Sequence, residues 1–252
     1  MTTQKRPFPL YIRLPGSGRL FISASTPFFS RQATNGGSSA TNWRSARPSC
    51  PPTHVEALTL HMQADTDLET ALLGPVLADR TCGDCTVCCT VLNVDTPDFK
   101  KPAETPCVHL GSRGCSIHAV RPRICRTWFC AWRRVASMPD QARPDRSGLL
   151  VSLNFVREPQ NCFEGVSINV RSLAGSKAIE NGMAARVLDS LCDQLVPVWF
   201  SDGSKKMLMH PENDVARHVI SGAPAPAHLQ GEVRAWRERY GLFAPKDQSQ
   251  QS

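Results

Sequence analysis

The 252 residues suffice for one sizeable domain with an extension, and apart from 11 cysteines and 20 prolines the composition is that of an ordinary globular chain. No segment holds eighteen consecutive apolar residues, so no transmembrane helix and no membrane partner are expected. The net charge of +7 is unevenly spread: seven of the 29 basic residues and one of the 22 acidic ones lie in residues 1–61. The remainder, with 22 basic and 21 acidic groups, is close to neutral and disfavours a nucleic-acid partner.

Residues 1–61 are rich in Ser, Thr, Pro, Gly and Arg and show no period of 2 or 3.6, so they are expected to be a disordered leader or a start read too early. Met62 opens MQADTDLETALLG, which looks like a natural helical beginning. Arg13 and Arg19 interrupt every apolar run, which argues against a secretory signal. An Arg- and Ser-rich, acid-poor leader also fits an organelle transit peptide, the alternative to a cytoplasmic location. Cys50, isolated among prolines, reads as a stray thiol. From Asp65 to Asp79 the residues Leu68, Leu72, Leu73, Val76 and Leu77 keep a helical spacing that Gly74 and Pro75 interrupt. A short helix covering the cysteine-rich stretch that follows is the expectation.

That stretch carries the chemistry. Eight of the eleven cysteines fall between Cys82 and Cys130, beginning CGDCTVCC and continuing with Cys107, Cys115, Cys125 and Cys130. Thiols at two-residue spacing, backed by further thiols downstream, bring soft anionic ligands around a metal or cluster. In a C-x2-C turn the intervening Gly83 and Asp84 let both sulfurs face one ion, and the turn's amides stabilise the thiolates. Adjacent Cys88 and Cys89 point apart, so one binds and one packs, or each serves a different metal. Without a secretory signal such a pattern reads as metal-binding in a reducing compartment, not as disulfides. Isolated Cys162 and Cys192 read instead as small buried hydrophobes.

The run C-x2-C-x2-CC, followed by C…C-S-I-x3-R-P-x2-C-R, resembles the YkgJ-type cysteine-cluster family, whose shared segment is described as zinc- or iron-chelating. Cys82, Cys85, Cys88, Cys89, Cys107, Cys115, Ser116, Ile117, Arg121, Pro122, Cys125 and Arg126 carry the resemblance, which covers residues 80–130. It implies the seven matching cysteines as metal ligands, with zinc or an iron–sulfur cluster as cofactor. The family has an aromatic residue where this chain has His118, and Cys130 lies outside its pattern. A similar cluster occurs in bacterial enzymes that methylate flagellin lysines, which implies an enzyme alternative.

His118, three residues after Cys115, has a ligand's spacing, or can donate a ring proton to a thiolate; His109 reads as surface. Arg121–Met138 is expected to be one helix, with Cys125, Trp128, Trp132 and Val135 on its apolar face and Arg123, Arg126, Arg133 and Arg134 elsewhere. Arg121 and Arg126 suit neutralisation of an anionic thiolate centre. Arg133 and Arg134 are the residues on which a nucleic-acid-binding zinc module would rest. Asp84 and Asp95 lie near the cluster with nothing in the sequence to pair them.

Beyond Gly148, residues 148–156 and 163–171 alternate in strand fashion around a turn at 158–161. An amphipathic helix over 177–195, carrying Ile179, Met183, Val187 and Leu191, follows. Residues 196–200 and 205–209 form a second hairpin, 211–220 and 227–240 two further helices, and the last dozen residues a polar tail. The fold class is α+β: an irregular, metal-stapled cysteine module with short helices (62–140), packed with a small antiparallel sheet carrying helices on one face (148–242), and a disordered tail (243–252). Phosphate-loop, dinucleotide, nucleophile-elbow and zinc-protease signatures are absent. The expected function is metal chelation with a structural, sensing or storage role. The alternatives are a metal-dependent enzyme, for redox chemistry or side-chain modification such as methylation, and the nucleic-acid module.

Overall fold

The chain enters its described course through helix α1 (Asp65–Leu73), which stops where Gly74 turns left-handed at φ 88°. The computed structural model describes residues 65–112, 114–175, 182–203 and 205–242. The expectations for the leader, for Cys50, for the opening at Met62, for Ile179 and for the tail 243–252 lie outside these residues. Leu72 and Leu73 of α1 are buried in the core that the sheet supplies. The helix therefore packs on the body, where the sequence suggests a cover for the cysteines.

The cysteine-rich region follows in small pieces: α2 (Val87–Val91), a hairpin of β1 (Val94–Thr96) and β2 (Phe99–Lys101), and a hairpin of β3 (Leu110–Gly111) and β4 (Gly114–Cys115). A 3-10 turn at His118–Val120 and helix α3 (Arg123–Thr127) complete it. Neither hairpin is visible in the sequence pattern. Among the described residues of 82–130, only Val87 and Lys101 are buried, so this region has almost no apolar core of its own.

The expected single helix over 121–138 is broken. Trp128 is extended (φ −86°, ψ 132°) and so is Cys130 (φ −66°, ψ 162°), after which residues Ala131–Arg133 make a 3-10 turn. Thr127, Trp128 and Phe129 are β-branched or aromatic and favour helix weakly. The carbonyls released by the break are gathered by one side chain: Arg80 donates from Nη1 to the Trp132 oxygen and, at 3.0 Å, to that of Val135. Its Nη2 donates to Ala136 at 3.1 Å and to Met138. Trp132, Val135 and Met138 are then free to bury themselves against the sheet, while Cys125 stays exposed on α3.

After α4 (Pro144–Ser147) the body is a four-stranded sheet in the order β5 (Leu149–Phe155), β6 (Val166–Ser172), β7 (Val198–Ser201), β8 (Lys206–His210). The outer pairs are antiparallel, as expected, but β6 and β7 run parallel, Ile168 opposite Val198 and Arg171 opposite Ser201. Helix α5 (Gly182–Cys192) makes the crossover that a parallel pair requires. The sheet is thus mixed within an α+β fold.

Both faces are covered, where one was expected. Val151, Ile168, Val170, Val198 and Phe200 pack with Val187 and Leu191 of α5 and with Trp132, Val135 and Met138. Trp199 and Leu208, pointing the other way, meet α6 (Asn213–Ser221) and α7 (Gln230–Tyr240) through Val215, Val219, Val233 and Trp236. Phe163, expected to open a strand, instead lies in this second core. Its ring sits edge-on to Trp236 and Tyr240, with centroids 5.6 Å away in each case.

Candidate metal centre

The first knuckle is a tight turn. The Cys85 amide donates to the Cys82 carbonyl at 2.9 Å, with Gly83 left-handed at φ 55°. Asp84, at the tip, is paired with Arg143 (2.8 Å), and the same guanidinium binds Asp145 through Nε at 2.7 Å. The hydrogen bond from Arg143 holds the Asp145 carboxyl below the ordinary range, and the Cys85 thiol bonds the same carboxylate. Asp95, likewise left without a partner by the sequence, pairs across the hairpin with Lys100 at 2.8 Å.

Cys88 and Cys89 sit on α2 and touch through their thiols. That hydrogen bond, followed by burial and by the neighbouring sulfurs of Cys89, Cys82 and Cys130, pushes the Cys88 thiol far up. The same bond pulls Cys89 down, against its burial and with help from Lys101 and Arg121. Cys107 joins Cys89 directly, its amide donating to the Cys89 carbonyl at 2.9 Å. The Leu110 amide donates to the Cys107 carbonyl at 2.9 Å, and Leu110 lies opposite Cys115 in the second hairpin. Partial desolvation raises the Cys125 thiol, although the residue as a whole is exposed, and the thiols of Cys89, Cys107 and Cys115 raise it further. Cys130 is pushed up to about 11, chiefly by burial and in part by Cys82 and Cys85. It therefore lies with the first knuckle, although its spacing made it a weaker candidate than the other seven.

The remaining candidates separate. The Arg121 guanidinium bonds the His118 ring at Nε2, which must accept, so His118 orients Arg121 instead of reaching a thiol in this arrangement. Arg121 Nε is buried without a hydrogen-bond partner beside Cys89 and Cys125, a donor suited to a thiolate. Arg126 is exposed on α3. His109 is half-buried against Phe99, centroids 6.2 Å apart, and is not a plain surface residue. Arg134 is buried and locked to Glu69 at 2.9 Å, which removes it from any phosphate-binding face. Cys162 is buried and Cys192 packs partly buried on the sheet core, as isolated cysteines should.

Sequence reasoning missed Lys101. The residue is 5% exposed, and its ammonium donates to the carbonyls of Thr90 (3.1 Å), Pro102 (3.0 Å) and Thr105 (2.8 Å). Nothing in the sequence separates it from its exposed neighbour Lys100, because only strand register decides which of the two turns inward.

Among the described residues, no group of three or more His, Cys, Asp or Glu side chains stands in the geometry of a formed metal cage. Compared with known proteins, the chain matches no family model, no curated protein and no solved structure. Among the described residues, no helix is long and apolar enough to cross a membrane.

Proposed function

We propose that the chain is a metal-chelating protein whose residues 82–130 bind zinc or an iron–sulfur centre through cysteine thiolates. One observation carries this reading: eight cysteines, none in a disulfide, crowd a segment that among its described residues buries only Val87 and Lys101. So short a segment with so little buried apolar surface depends on cross-links or metal to hold its shape. The donor set fits. Thiolates suit both zinc and iron–sulfur clusters, and Lys101, Arg121 and the unsatisfied Arg121 Nε offset and solvate their charge. The thiol protons that now make contacts such as Cys88 to Cys89 are those a metal would displace.

The resemblance to the YkgJ-type segment points the same way. The protein then belongs in a reducing compartment, the cytoplasm, where thiols persist as ligands. Bound metal would supply cohesion to the cysteine region, with sensing or storage as further roles of the same centre. The test is anaerobic purification of the full chain with metal and acid-labile sulfide analysis. Iron with matching sulfide and a brown colour is the result for a cluster, and stoichiometric zinc without sulfide is the result for a zinc site. A folded, metal-free protein whose thiols all alkylate would refute the reading.

A further inference from the structure

The backbone gathers the eight thiols in two places. The turn from Cys82 to Cys85 leads, three residues on, to Cys88 at the start of α2. Arg80, two residues before Cys82, holds the carbonyl of Trp132, two residues after Cys130, and the Leu77 amide bonds the Arg133 carbonyl at 2.9 Å. The two chain segments are thereby tied side by side, and Cys130 comes to the Cys82–Cys85 knuckle. On the other side of α2 the Cys89 carbonyl holds Cys107, whose own carbonyl holds Leu110, the strand partner of Cys115. Helix α3, which carries Cys125, is fixed to the first hairpin by the Arg123 amide donating to Asp98 at 3.3 Å.

The geometry points to two separate four-thiolate metal sites, Cys82, Cys85, Cys88 and Cys130 forming one and Cys89, Cys107, Cys115 and Cys125 the other, with the chain crossing between them at the Cys88–Cys89 peptide. This rests on the metal-chelating reading and adds to it the number of metals and the ligands of each. Successive residues of a helix project about 100° apart, so Cys88 and Cys89, whose thiols bond each other in the metal-free chain, turn to different centres when that bond gives way to metal. Four is the number of thiolates that one structural zinc or one cluster takes, and the split leaves no thiol of the eight unused. The electrostatic neighbours agree. Cys88 and Cys130 stand near thiols of the first set and Cys125 near those of the second, and only the contact between Cys88 and Cys89 crosses from one set to the other.

The surroundings differ as well. The first site is braced by Arg143 and lies against the sheet core through Cys130, whereas the second faces Lys101 and Arg121. Each metal enters from solution, and each ligating thiol releases its proton to solvent.

Cys82 and Cys125 are exposed, one in each set, and neither belongs to the sheet core, so their replacement should leave that core intact. The experiment loads the full chain anaerobically with zinc alone under a competing chelator and counts metal per chain by native mass spectrometry. Expected are two zinc ions in the parent, one in Cys82→Ser, one in Cys125→Ser and none in the double variant. Cys192→Ser, outside both sets, should keep two. Adding Cys130→Ser to Cys82→Ser should leave one ion, while adding it to Cys125→Ser should remove the last. A single ion in the parent, loss of both on either single substitution, or retention of two in both single variants overturns the split. A parent that binds none overturns the metal-chelating reading itself.

Discussion

Lys101 shows how much one side chain can carry in a region without an apolar core. An ammonium has three protons, and here three carbonyl oxygens receive them within 3.1 Å, so its burial beside Cys89 is offset without a carboxylate partner. Replacing it with Met leaves those carbonyls unsatisfied and takes a positive charge from beside the Cys89 thiol. Lys101→Met should destabilise the metal-free protein by about 2–4 kcal/mol in urea unfolding. Lys100→Met, which disturbs only an exposed pair with Asp95, should cost less than about 1 kcal/mol. Equal effects of the two substitutions would show that the buried ammonium is not structurally important.

At the scale of elements, the segment 131–138 has little regular structure to hold it, yet it supplies four buried side chains, Ala131, Trp132, Val135 and Met138, to the sheet core. The Arg80 guanidinium does the work that a helix's own hydrogen bonds would do, bonding four carbonyls at once and lying over the Trp132 ring at 5.1 Å. A lysine has the charge without the planar fork. Arg80→Lys should therefore lower stability by about 2 kcal/mol and speed hydrogen exchange of the 133–138 amides, leaving the strands protected. Uniform exchange across the whole chain would mean that the segment is not a separately held element. The proposed split into two thiol sets would depend on the same clamp, since Arg80 ties the segment before Cys82 to the one after Cys130.

At the scale of the whole molecule, His210 couples three elements. It ends β8, its Nε2 donates to the Gln194 carbonyl beyond α5 at 2.8 Å, and its ring lies 5.2 Å from that of Trp236 on α7. Burial brings its pKa down to about 4, so the folded protein resists the proton that an unfolded histidine accepts near pH 6.5. The contribution is therefore full above about pH 6.5 and is lost as pH falls toward 4, by roughly 3 kcal/mol at most. Asp189, Asp193 and Glu232, raised by burial, act in the opposite direction over the acid range. The difference between the parent and His210→Gln, which keeps a donor for Gln194, isolates the histidine. Urea midpoints of the parent should fall relative to the variant between pH 6.5 and 4.5, and parallel curves would refute the assignment.

The order of strands and helices after Gly148 was legible because periodicity records burial. Val233, Trp236 and Tyr240, spaced along one helical face, are all buried, and β5 through β8 fall within a few residues of their expected places. The cysteine spacing likewise marked the candidate site on its own, since thiols this dense have no role as scattered hydrophobes. Periodicity could not show that β6 and β7 run parallel, because an alternating strand reads the same in either direction. Nor could it show the break at Trp128, where apolar residues at helical spacing belong to a loop held by a side chain fifty residues away. Which thiols stand together, which of two adjacent lysines turns inward, and whether Arg134 faces solvent or Glu69 depend on contacts between distant segments. Only tertiary structure decides those, because each is settled by what the rest of the chain brings alongside.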